Sequence, residues 1–155
     1  MQIDQLISLQ RIGFHQALSS KKRALEELSE LFANSFEGIR DADIFDTLIA
    51  RERLGTTGIG DGVAIPHGRI PYLPLAAITI IILETPIDFD SLDSKPVDIL
   101  FSLLVPEDTT EEHLEILAEI ADMLRQPEIL QSLRSATSRE AIIAIIQQWQ
   151  AAKTW

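Results

Sequence analysis

Residues 55–68 read Gly-Thr-Thr-Gly-Ile-Gly-Asp-Gly-Val-Ala-Ile-Pro-His-Gly and hold five of the seven glycines in the chain. Glycine adopts positive φ readily and lets other groups approach the backbone closely. Within this glycine-rich segment, the apolar run 63–65 predicts a short buried strand that ends at Pro66, because proline cannot donate to a sheet ladder. We therefore expect His67 at the exit of a buried strand, beside exposed backbone.

Longer strands are predicted after the glycine-rich segment. Residues 77–83 and 97–105 are rich in β-branched side chains and lack a helical period. Residues 86–89 predict a short extra strand between them, and residues 11–15 predict a short opening strand.

Two helices are predicted before the glycine-rich segment. Residues 19–36 have apolar side chains at helical spacing after serine residues suited to an N-cap. A second helix is predicted to run from a cap at Asp41 or Asp43 to about residue 53, before Gly55.

Three helices are predicted in the last third of the chain. Thr109 and Glu112 have the spacing of a capping box, and Pro127 and Ser138 are expected to begin two further helices. The apolar face of the first of these helices is predicted to comprise Leu114, Leu117, Ala121 and Leu124. Helices on both sides of a run of strands predict an α/β fold, a mixed sheet sandwiched between helices on both faces in three layers.

Composition limits the class of protein. At 155 residues, with 46% hydrophobic and 24% charged residues, the chain is expected to form one domain over residues 1–155. It has no cysteine, and its formal net charge of −11 disfavours nucleic-acid binding and suits a basic protein partner. The N-terminus lacks the regions of a signal peptide, and the longest apolar stretch is too short to span a bilayer, so we expect a cytosolic protein without direct membrane insertion.

Three residues are candidates for chemistry. A neutral imidazole at His67 can act as a nucleophile, and backbone N–H groups released by the glycines could cradle an anion. His113 falls on the inward arc of its predicted helix, near the N-terminus, where it could donate to a phosphoryl oxygen. Arg51 could supply a guanidinium fork for phosphate.

Structural explanations compete with these roles. An inward histidine is more often a satisfied core residue than a catalyst, and Arg51 could simply be a solvated cation at a helix end. Glycine-rich turns are common without any ligand. From the residues alone, the sequence predicts an anion or metal site near His67 and goes no further.

The run 50–69, Ala-Arg-Glu-Arg-Leu-Gly-Thr-Thr-Gly-Ile-Gly-Asp-Gly-Val-Ala-Ile-Pro-His-Gly-Arg, closely resembles the phosphorylation-site region of enzyme IIA proteins. These proteins belong to the mannitol/fructose class of the bacterial phosphoenolpyruvate-dependent phosphotransferase system. Residues 20–26, 84–89, 96–98 and 104–106 resemble the same family. Within that class the chain looks most like the nitrogen-regulatory enzyme IIA.

The resemblance implies a single enzyme IIA type-2 domain that acts as a phosphocarrier. By resemblance, His67 matches the phosphorylated histidine, His113 the second active-site histidine and Arg51 the arginine near the site. We expect the phosphate-binding residues of this motif to be Thr57, Gly58 and Gly68. Thr56 stands where serine is common in the family and Arg69 where lysine is common, and neither change removes a needed group.

The resemblance also implies the partners. The donor would be a small HPr-like carrier phosphorylated on histidine, and the targets would be regulatory, such as potassium-transport proteins or sensor kinases. No cofactor or metal is expected. Three alternatives remain open: a fructose- or mannitol-specific enzyme IIA that passes phosphate to a membrane permease, a non-catalytic anion-binding module of the same fold, and a metal site at the two histidines, which no suitably spaced carboxylate supports.

Overall fold

The structure, a computed structural model, describes residues 2–153, and for residues 15 and 16 it describes the backbone alone. After two short 3-10 helices, Ile3–Gln5 and Leu9–Arg11, this described part of the chain forms six strands and five α-helices. The strands are β1 Ile12–Gln16, β2 Gly58–Gly60, β3 Val63–Ala64, β4 His67–Ile70, β5 Ala77–Ile87 and β6 Val97–Pro106. The helices are α1 Lys21–Ala33, α2 Asp41–Leu54, α3 Glu111–Leu124, α4 Pro127–Ser135 and α5 Arg139–Lys153.

The strands form one open, mixed sheet. Its order is β1-β5-β6-β3-β2, and β4 continues beside β6 on the same side as β3. The central pair, β5 and β6, is antiparallel, whereas β1 runs parallel to β5 and both β3 and β4 run parallel to β6. Within residues 2–153, none of the helices combines the length and the apolar character needed to cross a lipid bilayer.

Side chains alternate between the two faces of the sheet and build two separate cores. In β5, Ile78 and Ile80 pack on the face covered by α3, α4 and α5, whereas Ile81 packs on the face covered by α1 and α2. In β6, Phe101 and Leu100 divide in the same way. The predicted three-layer α/β fold is therefore confirmed.

A break at Pro66 divides the strand that leads to His67. Val63 pairs with Ile99, and His67 pairs with Leu103 after the interruption, so β3 and β4 follow one line along β6. The Pro66 carbonyl accepts hydrogen bonds from the Leu103 N–H at 3.0 Å and from the buried Ser102 hydroxyl at 2.8 Å. These bonds to the central strand fix the backbone immediately before His67.

Several local predictions at strand and helix ends are wrong. Residues 86–89 do not form an extra strand, because β5 itself continues to Ile87 across a register shift after Ile82. The N-cap of α2 is Arg40 rather than Asp41 or Asp43, and no side chain caps it.

The start of α3 also differs from its prediction. Thr110, and not Thr109, is the N-cap, without a side-chain hydrogen bond, so the capping box with Glu112 does not form. Leu114 is 66% exposed, because the face of α3 that packs on the sheet is rotated from the predicted one. The fully buried residues on that face are Ile116, Ile120, Met123 and Leu124. The predicted starts at Pro127 and Ser138 are confirmed, the latter by its hydroxyl accepting from the Ala141 N–H at 3.1 Å.

Candidate active site

His67 is the first residue of β4, and its two ring nitrogens have different partners. Nδ1 lies 2.8 Å from the Ile65 carbonyl oxygen, which can only accept, so Nδ1 carries the proton. Nε2 receives the Nε–H of Arg51 at 3.3 Å, so Nε2 presents a lone pair. Both contacts favour the same neutral tautomer, with Nε2 as the nucleophilic atom.

The surroundings of His67 keep its ring neutral. The ring is half-buried, and burial lowers the pKa of His67 below its usual value. The hydrogen bond to Ile65 opposes this shift, whereas the positive charge of Arg51 lowers the pKa further. An imidazole that stays neutral near pH 7 keeps its lone pair available for attack on an electrophile.

His113 lies beside His67, as its position on the inward arc of α3 predicts. The two rings meet edge to face, with centroids 5.5 Å apart and an interplanar angle of 80°. The Arg69 Nε–H points to His113 Nδ1 at 3.4 Å, so the proton of this neutral ring is on Nε2. His113 is 6% exposed, and its Nε2 has no hydrogen-bond partner among the described residues. Burial, followed by the nearby His67 and Arg69, lowers the pKa of His113 to about 4.

Arg51 links the end of α2 to the glycine-rich segment. Besides its bond to His67, it donates from Nη1 to the Gly55 carbonyl at 2.9 Å. The next residue, Glu52, is 7% exposed and accepts hydrogen bonds from both the N–H and the hydroxyl of Thr57. Lys21 completes this cluster with an ion pair to Glu52 at 2.8 Å.

The Lys21–Glu52 ion pair joins the start of α1 to the last turn of α2, and Glu52 in turn holds Thr57 in the loop that follows. Neither residue was predicted from the sequence, and Glu52 in particular stands in Arg-Glu-Arg at the end of a helix, which has the composition of a solvated surface. The only signal was that Lys21 falls within residues 20–26, which resemble the same family. A buried carboxylate without a partner would destabilise the fold. Glu52 can be buried here because Lys21 and Thr57 pair with it.

The structure places the three predicted phosphate-binding residues in different settings. The N–H of Thr57 is bonded to Glu52, and the N–H of Gly58 is bonded to the Thr56 hydroxyl at 3.0 Å. Phosphate binding by these two groups would require those bonds to be exchanged. Gly68 follows His67 in β4, where a Cβ atom would lie 2.5 Å from Cγ2 of Thr47. Glycine at that position therefore allows α2 to pack closely on β4.

Together these groups can receive an anionic electrophile. His67 is neutral and half-buried, and the guanidinium of Arg51 contacts its Nε2 lone pair. The neighbouring His113 is bonded to Arg69 and has an unpaired N–H among the described residues. Phosphoryl transfer requires mainly positioning and charge stabilisation, which such groups provide. Among the described side chains, which do not include those of residues 15 and 16, no group of three or more histidine, aspartate or glutamate residues is arranged to hold a metal ion.

Comparison with known proteins identifies the family. A family profile described as "Phosphoenolpyruvate-dependent sugar phosphotransferase system, EIIA 2" matches residues 5–149. The chain belongs to this EIIA 2 family. Among curated EIIA 2 relatives, a protein named nitrogen regulatory protein from Pseudomonas aeruginosa is 42% identical over 146 residues, covering 94% of this chain and 95% of the relative.

Two further relatives agree. A nitrogen regulatory protein from Klebsiella oxytoca is 46% identical over 130 residues, covering 83% of this chain and 80% of the relative. The crystal structure of the nitrogen regulatory protein IIA-Ntr from Neisseria meningitidis superposes with a TM-score of 0.88 at 42% identity, covering 93% of this chain and 98% of that one. The resemblance noted in the sequence to the enzyme IIA family, and to its nitrogen-regulatory branch, is thus confirmed.

Proposed function

We propose that this EIIA 2 protein is a phosphocarrier that accepts a phosphoryl group on Nε2 of His67 from a phosphohistidine of an HPr-like carrier. The observation that carries the proposal is the tautomer of His67, in which the Nδ1 proton is bound to Ile65 and the Nε2 lone pair faces Arg51. Besides satisfying this lone pair, the guanidinium of Arg51 is a group that can bind the oxygens of a phosphoryl group at the same nitrogen.

The transfer forms an Nε2–P bond at His67 and breaks the P–N bond of the donor, whose nitrogen keeps the bonding electrons. Arg51 must leave the lone pair of Nε2 as phosphorus approaches, and its guanidinium then binds a phosphoryl oxygen. The unpaired Nε2–H of His113 donates to a second oxygen, which gives this buried group the partner that it lacks. Arg69 supports this donor by holding the other nitrogen of His113.

An acidic surface beside His113 supports a basic protein as the donor. An open groove of about 600 Å³ lies at the first turn of α3, and its acidic residues are Asp108, Glu111, Glu112 and Glu115. Complementary charge on the two partners speeds their encounter. The acidic residues flank His113 in sequence at the start of α3, so a basic carrier attracted there would meet the element that carries the second histidine.

The transferred group serves, in this proposal, as a nitrogen- or potassium-linked regulatory signal read by potassium-transport proteins or sensor kinases. The name shared by the relatives in Pseudomonas and Klebsiella supports a regulatory role over sugar uptake. The regulatory role is tested by comparing the growth of a deletion strain complemented with the wild type and with His67→Ala. Loss of growth on fructose or mannitol with His67→Ala would instead indicate the sugar-specific role.

The acceptor chemistry is tested with labelled phosphoenolpyruvate and the general carriers of the system. The wild type should gain an acid-labile label, and His67→Ala should gain none, whereas His113→Ala should retain some transfer. Arg51→Gln should slow labelling by about 100-fold, because one charged donor to the transferred group is lost. Arg53→Gln, an exposed cation on the same helix, is the matched control and should label normally. Full labelling of His67→Ala would show that another residue is the acceptor, and a folded wild type without label would favour an anion-binding module.

A further inference from the structure

A second groove lies at the opposite end of β6 from the histidines. It has a volume of about 640 Å³ and opens between the turn at Gly62, the start of β6 and one side of α4 along its whole length. Asp98 lies at this end of β6, and His67 pairs with Leu103 five positions further along. At about 3.3 Å per residue, the groove is roughly 17 Å along the strand from the phosphorylation site. A ligand in the groove would therefore not occupy the site of His67.

This basic groove, lined by Lys95, Arg125, Arg134, Asp61, Asp98 and Gln131, differs in charge from the rest of the chain. Three cations and two carboxylates give it a formal charge of +1, on a protein whose net charge is −11. Among the described residues, no carboxylate lies within 4 Å of the cationic groups of Lys95 and Arg125. Lys95 helps to lower the pKa of the neighbouring, exposed Asp93 without a direct ion pair to it. In an acid-rich protein, two cations that lack a direct ion pair and line one groove favour an anionic occupant.

Arg134 gives the groove a fixed cationic wall. Its guanidinium donates to both carboxylate oxygens of Asp98 at 2.9 Å and also to the Asp61 carbonyl at 2.6 Å. Arg134 therefore balances the charge of Asp98. Lys95 and Arg125 are not needed for that and are left to interact with an incoming anion. A planar guanidinium held in this way also loses little conformational freedom on binding.

Apolar side chains form a further part of the groove walls. Three proline rings and one leucine contribute them, namely Pro86, Pro96, Pro127 and Leu130. The volume lies within the usual range of small-molecule sites, in which apolar walls surround a few placed polar groups. An inorganic anion would leave these apolar side chains in contact with water. The presence of cationic and apolar residues in one groove therefore suits a ligand with an apolar part.

We propose that the basic groove binds a small organic anion in which a phosphate or carboxylate group is attached to an apolar body. Arg125 and Lys95 bind the anionic group, and the prolines and Leu130 contact the apolar body. This site is independent of the acceptor chemistry at His67, so the failure of either proposal leaves the other standing.

The test is an NMR titration of the ¹⁵N-labelled full chain with 1-naphthyl phosphate, with 1-naphthoate and inorganic phosphate as separate arms. Saturable shifts are expected at the amides of Gly62, Lys95, Arg125 and Gln131 with the naphthyl anions, and a weaker response is expected with inorganic phosphate. Lys95→Gln/Arg125→Gln should weaken binding by about tenfold per cation. The charge-matched control is Lys22→Gln/Arg53→Gln, two exposed cations outside the groove, and it should bind like the wild type.

The possible results separate clearly. Shifts confined to the surroundings of His67, or no saturable shift in the groove, would overturn the proposal. If Lys95→Gln/Arg125→Gln binds the naphthyl anions as tightly as the wild type does, the two cations do not contribute to binding. If inorganic phosphate binds as tightly as the naphthyl anions do, the assignment of an organic ligand is overturned.

Discussion

Gly68→Ala tests how closely α2 must pack on the strand that carries His67. Gly68 does not have positive φ, so its backbone accepts alanine and the cost is steric. The new Cβ would lie 2.5 Å from Cγ2 of Thr47, roughly 1 Å short of ordinary contact. Overpacking by one methyl group costs about 1–3 kcal/mol, and the reduced freedom of the unfolded chain offsets about 0.4–1 kcal/mol. The net expectation is a free energy of unfolding lower by about 1–2 kcal/mol.

The same substitution should impair the site. Thr47 and Arg51 lie four residues apart on one face of α2, and Gly68 is next to His67. Pushing the helix outward therefore lengthens the 3.3 Å contact between Arg51 and His67 and slows labelling by the phosphorylated carrier. Thr47 cannot avoid this simply by rotating, since its hydroxyl is bonded to the Asp43 carbonyl at 3.1 Å.

Thr47→Ser should remove the clash with the alanine introduced at residue 68, because serine keeps the hydroxyl and lacks the methyl group that clashes. Urea unfolding of the wild type, both single variants and the double variant gives the coupling energy directly. We expect the double variant to match Thr47→Ser in stability and to recover labelling. If Gly68→Ala is as stable as the wild type, or if Thr47→Ser gives no recovery, the close packing of α2 on β4 is not what the glycine serves.

Three further predictions concern buried polar groups. The free energy of unfolding should fall by up to about 3 kcal/mol between pH 6.5 and pH 4, because burial lowers the pKa of His113 to about 4 while the unfolded chain takes up the proton first. Above pH 6.5 this contribution to stability is complete. If the free energy of unfolding depends on pH equally in the wild type and in His113→Gln, the prediction is contradicted. Glu52→Gln should cost up to about 3 kcal/mol in urea unfolding, since Lys21 would keep only the exposed Asp90 carboxylate, at 3.5 Å, as its ion-pair partner; a loss below about 1 kcal/mol would show that the ion pair is screened. Ser102→Ala should cost about 1–2 kcal/mol and reduce labelling, because the Pro66 carbonyl loses one of its two donors; unchanged labelling would show that the other donor is sufficient.

The spacing of apolar residues was sufficient to predict the central strands and the inward face of the helix that carries His113. The continuous apolar runs of β5 and β6 identified the central strands, because both of their faces are covered by helices. The inward position of His113 followed from helical geometry alone. By contrast, the length of β5 beyond Leu83 depends on pairing with β6 across a register shift, which no local period encodes.

The candidate site shows the same division. His67 was identified by the proline and glycine beside it, but its tautomer depends on Arg51, which comes from another element. The bonds that occupy the N–H groups of Thr57 and Gly58 depend on the actual path of the loop. Side chains brought together by tertiary packing leave no signature in a single sequence, so the expected phosphate cradle stays a prediction.

The hydrogen bond from Nδ1 of His67 to the Ile65 carbonyl has a consequence for how the carrier would be unloaded. A ring that holds its Nδ1 proton while phosphorus is attached to Nε2 departs from phosphorus as neutral imidazole, a far better leaving group than the imidazolate anion. The backbone oxygen would thus keep the phosphorylated form at high group-transfer potential, ready for an acceptor and also prone to hydrolysis whenever water enters. A protein phosphorylated in this way would hold the phosphoryl group only briefly, and its state would follow that of its donor.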